Sequence, residues 1–287
     1  MCGSRRATWR DDCFAVPAMI EALTPSSFET SHRSLDVGER ARRSFAADGY
    51  VVFEGIVDKE RLAAVRADIL AEYERARTKG FLFSGGGTMS GHLNCFPGAG
   101  SRFVYDTLQA RGIFDIVRAL STVTLRAPNV GCNLNLPGSH PQNEHVDGYA
   151  AQPFLIVNVA AVDTDLTNGA MEVLPGTHLR SYKYWQLLVE RPERRRLCIK
   201  RGDVVIRTSA LWHRGMPNHD RVARPMLAFT WEDGGSSRLD PYDINGGRIT
   251  FLPNRFGTAW LDRVRERAFV AAPRVGTAYH AVRSLLR

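Results

Sequence analysis

The sequence predicts a mainly β chain with flanking helices, built around a core of jelly-roll type. Three observations carry that expectation. From about residue 122 the texture is one of short apolar or alternating runs separated by Gly, Pro and Asn, as in antiparallel sandwiches and barrels. Before and after that stretch the apolar residues recur at helical spacing. The chain has 287 residues, of which 44% are hydrophobic and 24% charged, a composition that suits one sizeable core and excludes collagen-like or fully disordered chains.

Taken in order, residues 1–35 are expected to be a disordered tail. Arg5-Arg6 followed by Phe14 to Ile20 is no export signal, because the apolar stretch is short, holds Pro17 and follows Asp11-Asp12. Residues 36–287 are expected to be one domain, with a β-core over 122–233 and a C-terminal helical appendage over 236–287. Glu39 to Ala47 has helical spacing. Gly49 to Val57 is rich in β-branched and aromatic residues and reads as a strand. Asp58 can cap a helix over Glu60 to Arg77, with Leu62, Val65, Ile69 and Tyr73 on one face. The Gly-rich stretch 80–101 reads as a loop. It lacks the Gly-Lys-Ser/Thr of a phosphate-binding loop. Phe103 to Leu120 reads as a helix. Six strands are expected at Thr122–Ala127, Val130–Leu136, Pro153–Val162, Ala170–Leu174, Asp203–Thr208 and Pro225–Trp231. Residues 179–198 are expected to be helical or irregular, and Ala259–Val270 and Thr277–Leu286 to be helices.

The net charge is +8, and only four of the 38 basic residues are lysines. The arginines are spread along the chain, so a contiguous nucleic-acid groove is not expected. The longest apolar run, Phe154 to Val162, is far shorter than a membrane span and is interrupted by Asn158. Five cysteines, none spaced CxxC, argue against a zinc site or disulfide framework, and a reducing cytoplasm is the expected compartment.

The chemistry-bearing residues fall in the β-core. In His145-x-Asp147, side chains at i and i+2 of an extended segment point the same way and can converge on one point. His213 follows the strand Asp203–Thr208 and supplies a second imidazole. Two imidazoles and one carboxylate make a facial triad, which leaves positions open and suits non-heme Fe(II). Arg224 opens the next strand, where a guanidinium can hold a dicarboxylate bidentately, as a keto acid chelating iron at its other end requires. His178 is the rival for the second imidazole, but no arginine follows it at 10 or 11 residues. Asn133 and Asn135 alternate on one strand and are candidate hydrogen-bonding partners of the cosubstrate.

His145-x-Asp147, Asn168 to His178, Gly202-Asp-Val-Val-Ile, Trp212 to Asn218 and Arg224 together resemble the phytanoyl-CoA dioxygenase-like family, over about residues 40–235. The resemblance implies a double-stranded β-helix, a jelly-roll or cupin-like barrel. It implies a dioxygenase using Fe(II), 2-oxoglutarate and O2, with His145, Asp147 and His213 as iron ligands and Arg224 on the C5 carboxylate. Two positions depart from the family's habit. Glu144 stands where Gln or Trp often precedes the first histidine, and Gly215 stands where a serine often helps bind the cosubstrate. The implied substrate is a small molecule, with no nucleic acid and no membrane: a secondary metabolite of antibiotic biosynthesis, with or without sugars, oxidised by hydroxylation or oxidative cyclisation. Candidate substrate residues are Phe83, His92 and Asn94 in the Gly-rich loop and Trp185 in the 179–198 segment. Halogenation is disfavoured, since Asp147 fills the position a halide would need. The competing readings are a non-catalytic metal-binding barrel and a nucleic-acid demethylase.

Overall fold

The computed structural model describes residues 19–20, 31–79, 85–87, 90–148, 152–252 and 260–286. The expected tail therefore lies largely outside the described residues. Within it, strand β1 is Met19–Ile20, and helix α1 spans Ser31–Asp48, beginning inside the expected tail. The other helices are α2 (Lys59–Thr78), α3 (Arg102–Ala110), α4 (Ile113–Leu120), α5 (Tyr184–Glu190), α6 (Trp260–Ala271) and α7 (Pro273–Leu285). The strands that follow β1 are β2 (Tyr50–Phe53), β3 (Gly85–Gly87), β4 (His92–Phe96), β5 (Asn129–Asn135), β6 (Leu155–Ala160) and β7 (Glu172–Val173). They continue with β8 (Arg195–Arg196), β9 (Val204–Thr208), β10 (His213–Arg214), β11 (Arg224–Thr230) and β12 (Thr250–Phe251).

The strands form two sheets. The large one runs β1-β2-β9-β6-β11-β5-β4-β12, with β3 beside β4; the small one runs β10-β7-β8. Apart from β1 with β2, every pairing is antiparallel. This is the jelly-roll architecture with flanking helices. Alternation along the large sheet separates two environments. One face, with Val51, Ile206, Val159, Leu227 and Leu134, packs on α2, α3 and α4 through Leu62, Leu108 and Phe114. The other face, with Val52, Val205, Ala160 and Met226, looks into the barrel toward Val173 and Leu211.

Asp58 caps α2 as its position suggests, its carboxylate accepting from the Arg61 amide at 2.7 Å. Three expectations need correction. Phe103–Leu120 is two helices, because Gly112 takes φ +71° between them, a left-handed turn that helical periodicity on both sides conceals. The stretch Thr122–Ala127 is not a strand. Its backbone caps a neighbouring turn instead, with the Arg126 amide donating to the Gly234 carbonyl and the Trp231 indole to the Arg126 carbonyl. The Gly-rich stretch is not only a loop: His92–Phe96 is a sheet strand paired with β5 in the register His92 to Asn135 and Asn94 to Asn133. Among the cysteines, Cys95 and Cys132 are free and buried, while Cys198 is disulfide-bonded.

Gly202 shows how tightly the barrel end is closed. It has φ +90°, its amide donates to the Ala160 carbonyl at 2.9 Å, and a Cβ there would run into the Val57 carbonyl. Gly202→Ala is expected to destabilise the fold by about 3 kcal/mol, from the left-handed strain and the backbone clash together. In a chain of this size that corresponds to a Tm about 10 °C lower, to be read by thermal denaturation.

Candidate metal centre and cavity

The centre is assembled on one rung between two segments far apart in sequence. His145 and His213 form an antiparallel bridge, each backbone amide donating to the other's carbonyl at 2.9 Å. Their rings stand 4.5 Å apart, centroid to centroid. Asp147 is held two residues on by its amide, which donates to the Ser209 carbonyl at 3.0 Å. The i, i+2 reading of His145 and Asp147 thus describes the backbone that exists.

Each imidazole is oriented by the nitrogen that faces away from the centre. His145 Nδ1 donates to the Asn143 carbonyl at 2.8 Å and His213 Nδ1 to the Leu211 carbonyl at 2.9 Å. Both Nε2 atoms are thereby left as bare acceptors, the arrangement metal-binding histidines need. They lie 3.8 and 3.5 Å from the Asp147 carboxylate oxygens. Two donors bound at about 2.1 Å can be at most about 4.2 Å apart, so these gaps fit a cation between them. Among the described residues these three are the group of donors able to hold a metal. His178 stands elsewhere, against Gly49 and Phe45.

Asp147 is tied by a residue that sequence reasoning passed over. Arg207 Nη2 donates to its carboxylate at 2.7 Å, and Arg207 Nε to the Asn158 side-chain oxygen at 3.0 Å. Burial alone would raise the Asp147 carboxyl. The positive charge of Arg207 and the hydrogen bond it donates outweigh burial and hold the group well below the usual carboxylate range. Burial, then Arg207, pushes His213 down to about 3, so its ring is neutral and free to ligate. The signal for Arg207 was present: a lone arginine in the apolar strand Val204–Thr208, with one asparagine, Asn158, interrupting the apolar run of the strand it pairs with.

Arg224 lines the same cavity, cross-strand from Asn135. It is 3% exposed, its Nε has no partner, and burial lowers it to about 10, leaving it charged at neutral pH. No described carboxylate lies within ion-pair distance. A buried guanidinium without an anion is costly, and an incoming carboxylate relieves that cost.

The centre opens into a cavity of about 1430 Å³, with Arg224, Asn133 and Asn94 in its wall. Asn133 donates to the Asn94 side-chain oxygen at 3.2 Å. Other expected residues are placed differently. Asn135 is fully buried and turns its amide to the Met216 carbonyl at 3.0 Å. His92 is sealed under the wall, 0% exposed, with Nε2 donating to the His140 carbonyl at 2.8 Å. Its ring fills the space beside Gly215, where a Cβ would meet His92 Cε1 at 2.6 Å; no serine side chain has room there. Trp185 does not line the cavity, whereas its neighbour Tyr184 does, because the helix turn points Tyr184 inward. Phe83 lies outside the described residues. The wall opposite the β-core is completed by Phe269, Tyr279 and His280 of the C-terminal helices, where His280 reads from sequence as a surface residue.

Burial pushes His92 down to about 4, from the ordinary value of about 6.5. The unfolded chain therefore binds a proton between pH 6.5 and 4 that the folded chain refuses, and stability falls as pH drops through that window. The shift corresponds to about 3 kcal/mol. Urea titrations from pH 7 to 4 are expected to show this loss, reduced in His92→Gln but not abolished, since His213 adds a slope of the same sign.

A jelly-roll barrel holding two imidazoles and a carboxylate, with open space beside them and a buried cation facing that space, defines the class: a mononuclear non-heme iron oxygenase. The chain belongs to the phytanoyl-CoA dioxygenase (PhyH) family, whose model matches residues 45–226. It is a non-heme iron, 2-oxoglutarate-dependent dioxygenase, and the cofactors of that family are Fe(II), 2-oxoglutarate and O2. Among the solved structures that share its fold are three of biosynthetic or Streptomyces origin. The non-heme alpha-ketoglutarate-dependent carbocyclase SnoK from nogalamycin biosynthesis is 19% identical, over 67% of this chain and 82% of that one, with a TM-score of 0.54. The epimerase SnoN from the same biosynthesis is 19% identical, over 77% of this chain and 98% of that one, with a TM-score of 0.54. AviO1 from Streptomyces viridochromogenes Tue57 is 17% identical, over 67% of this chain and 93% of that one, with a TM-score of 0.55. No described helix is long and apolar enough to cross a membrane.

Proposed function

We propose that this dioxygenase oxidises a ring-bearing small molecule, a glycosylated secondary metabolite, at an unactivated C–H bond, by hydroxylation or oxidative cyclisation. His145, Asp147 and His213 hold the iron, and Arg224 holds the distal carboxylate of 2-oxoglutarate. The observation that carries the cosubstrate assignment is the Arg224 guanidinium, buried in the wall of the cavity that contains the three donors, with its Nε unpaired and no described carboxylate within ion-pair distance. The metal, with 2-oxoglutarate and O2, supplies the oxidising power that breaks the C–H bond.

The chain's own residues position and exclude. The Asn143 and Leu211 carbonyls keep the Nε2 lone pairs of His145 and His213 facing the centre. Arg207 fixes one Asp147 oxygen and leaves the other free. Tyr184, Trp212, Phe269 and Tyr279 give the cavity a wall that can stack on sugar or carbocyclic rings. Its volume exceeds what a single dicarboxylate fills and lies above the ordinary range for small-ligand pockets. SnoK and SnoN, whose fold is shared, belong to nogalamycin biosynthesis, which accords with a metabolite of that kind.

The test is an anaerobic titration of the protein with Fe(II) and 2-oxoglutarate, followed through the weak visible charge-transfer band of the chelate. A band that saturates at one equivalent of each supports the assignment; well-folded protein without a band refutes it. Succinate release, screened over glycosylated and unglycosylated polycyclic compounds, then reads the substrate class. Equal stimulation by both sets would refute the preference for a glycosylated substrate.

A further inference from the structure

The segments that carry the two histidines also carry a set of paired charges on the opposite side of the strands. His145 faces His213 in an antiparallel bridge, so the residues flanking them, Glu144 and Arg214, face each other as well. Arg214 is in turn matched with Glu172 across β10 and β7. The result is a rung Glu144–Arg214–Glu172 next to the rung that holds the histidines. Arg214 Nη1 lies 3.3 Å from the Glu144 carboxylate, and Arg214 Nη2 lies 2.7 Å from that of Glu172. Arg194 bridges the same two carboxylates, at 2.8 and 3.0 Å. Two carboxylates and two guanidinium groups balance. Their side chains are only 10% to 23% exposed, where such pairs are screened least.

Tyr184 joins this frame to the cavity. Its hydroxyl donates to the second Glu144 oxygen at 2.8 Å, while its ring lines the wall and stands 5.6 Å from the His280 ring of α7. Helix α7 also presses on the metal segment directly. A Cβ at Gly276 would lie 3.1 Å from the Asn143 side chain, and the Asn143 carbonyl is the group that orients His145.

We propose that Glu144, Glu172, Arg194 and Arg214 form a positioning frame that holds the two histidine segments in register, and that Tyr184 couples this frame to the substrate wall. The inference rests on the assignment of His145 and His213 as metal ligands. A strand slipped by one residue turns every side chain to the other face, which would bring Glu144 or Arg214 inward and carry a histidine out. In the slipped state Glu144 or Arg214 is carried away from its largely buried partners, while Arg194 and Glu172 stay where they are, so the frame penalises the slip more than the weak two-residue strand β10 does by itself. Glu144, which departs from the family's habit, thereby has a role tied to this chain's own Arg194 and Arg214. These residues touch no reacting atom; they act through the histidine segments.

The test uses the full chain and Co(II) as the probe metal, with affinity read by calorimetry and coordination by the visible d–d spectrum. The charge-balanced double variant Glu144→Gln with Arg194→Gln leaves the Arg214–Glu172 pair intact. It is expected to bind Co(II) about 10- to 100-fold more weakly, the range for groups that orient metal ligands, with altered d–d bands. Tyr184→Phe removes one hydroxyl only and is expected to shift the same readouts in the same direction by a smaller factor, at a nearly unchanged Tm of the metal-free protein. Arg214→Lys keeps the charge without the bidentate geometry and is expected to fall between wild type and the double variant. A purely structural role would lower the Tm and leave Co(II) affinity and spectrum at wild-type values, which would overturn the proposal. If the double variant does not fold, Tyr184→Phe decides by the same criterion. If wild type and His213→Ala bind Co(II) equally, the metal assignment itself has failed, and the frame loses its purpose with it.

Discussion

His213→Ala is expected to abolish tight Fe(II) binding and with it all 2-oxoglutarate turnover. His213 is the most buried of the three donors, at 5% exposure. Its neutral ring presents Nε2 3.5 Å from the Asp147 carboxylate. Groups that merely orient a ligand cost 10- to 100-fold in affinity when removed. Loss of a ligand itself should exceed that, so more than about 100-fold is expected. Alanine also leaves the Asp147 carboxylate with Arg207 as its one strong partner at that end, an ion pair rather than a cation site. The fold should survive, because the bridge to His145 is made by backbone groups. Anaerobic Fe(II) titration of the variant checks this, with the Tm of the metal-free protein as the control. Wild-type Fe(II) affinity in His213→Ala would remove the residue from the centre.

The second large effect belongs to Arg224 and has two opposite signs. Arg224→Ala is expected to weaken 2-oxoglutarate binding by on the order of 100- to 1000-fold, the usual cost of truncating one partner of a buried, hydrogen-bonded charge pair. Without cosubstrate the same change should leave the protein as stable as wild type or more so, because it removes a desolvated cation that has no anion. Cosubstrate titration followed by the chelate band reads the first effect, and thermal denaturation without and with 2-oxoglutarate reads the second. Wild type should gain far more Tm from added 2-oxoglutarate than the variant does. A variant that loses stability without ligand, yet binds 2-oxoglutarate normally, would make Arg224 a structural residue.

The longer strands of the β-core, β5, β6, β9 and β11, were legible because each is a short run whose alternation matches one dry helical face and one barrel face, whereas the two-residue strands β8 and β10 were not. Val204–Thr208 and Arg224–Thr230 are cases in point. Strand β4 was not legible, because His-Leu-Asn-Cys-Phe sits among glycines and its partner, β5, lies more than thirty residues away. The helix break at Gly112 was hidden by sound periodicity on both sides. In the centre, His145 and Asp147 could be paired from spacing alone, since two residues of extended chain put both side chains on one side. Joining His213 to them required a backbone bridge spanning 68 residues.

By itself the sequence determined the class of chemistry, through a donor set that suits iron and an arginine that suits a dicarboxylate. It determined the jelly-roll core as well, through the two-residue period of short runs. Tertiary structure alone decided which groups surround those donors. It sealed His92 beneath Gly215, brought Arg207 onto Asp147 from another strand, aligned the charged rung behind the histidines, and turned Tyr184 rather than Trp185 toward the cavity. It also placed α6 and α7 as a cavity wall, although their own sequences specify only helices. The physical reason is one of range. Periodicity and spacing are local properties of the chain, whereas burial, charge pairing and the loss of hydration depend on neighbours supplied by distant segments.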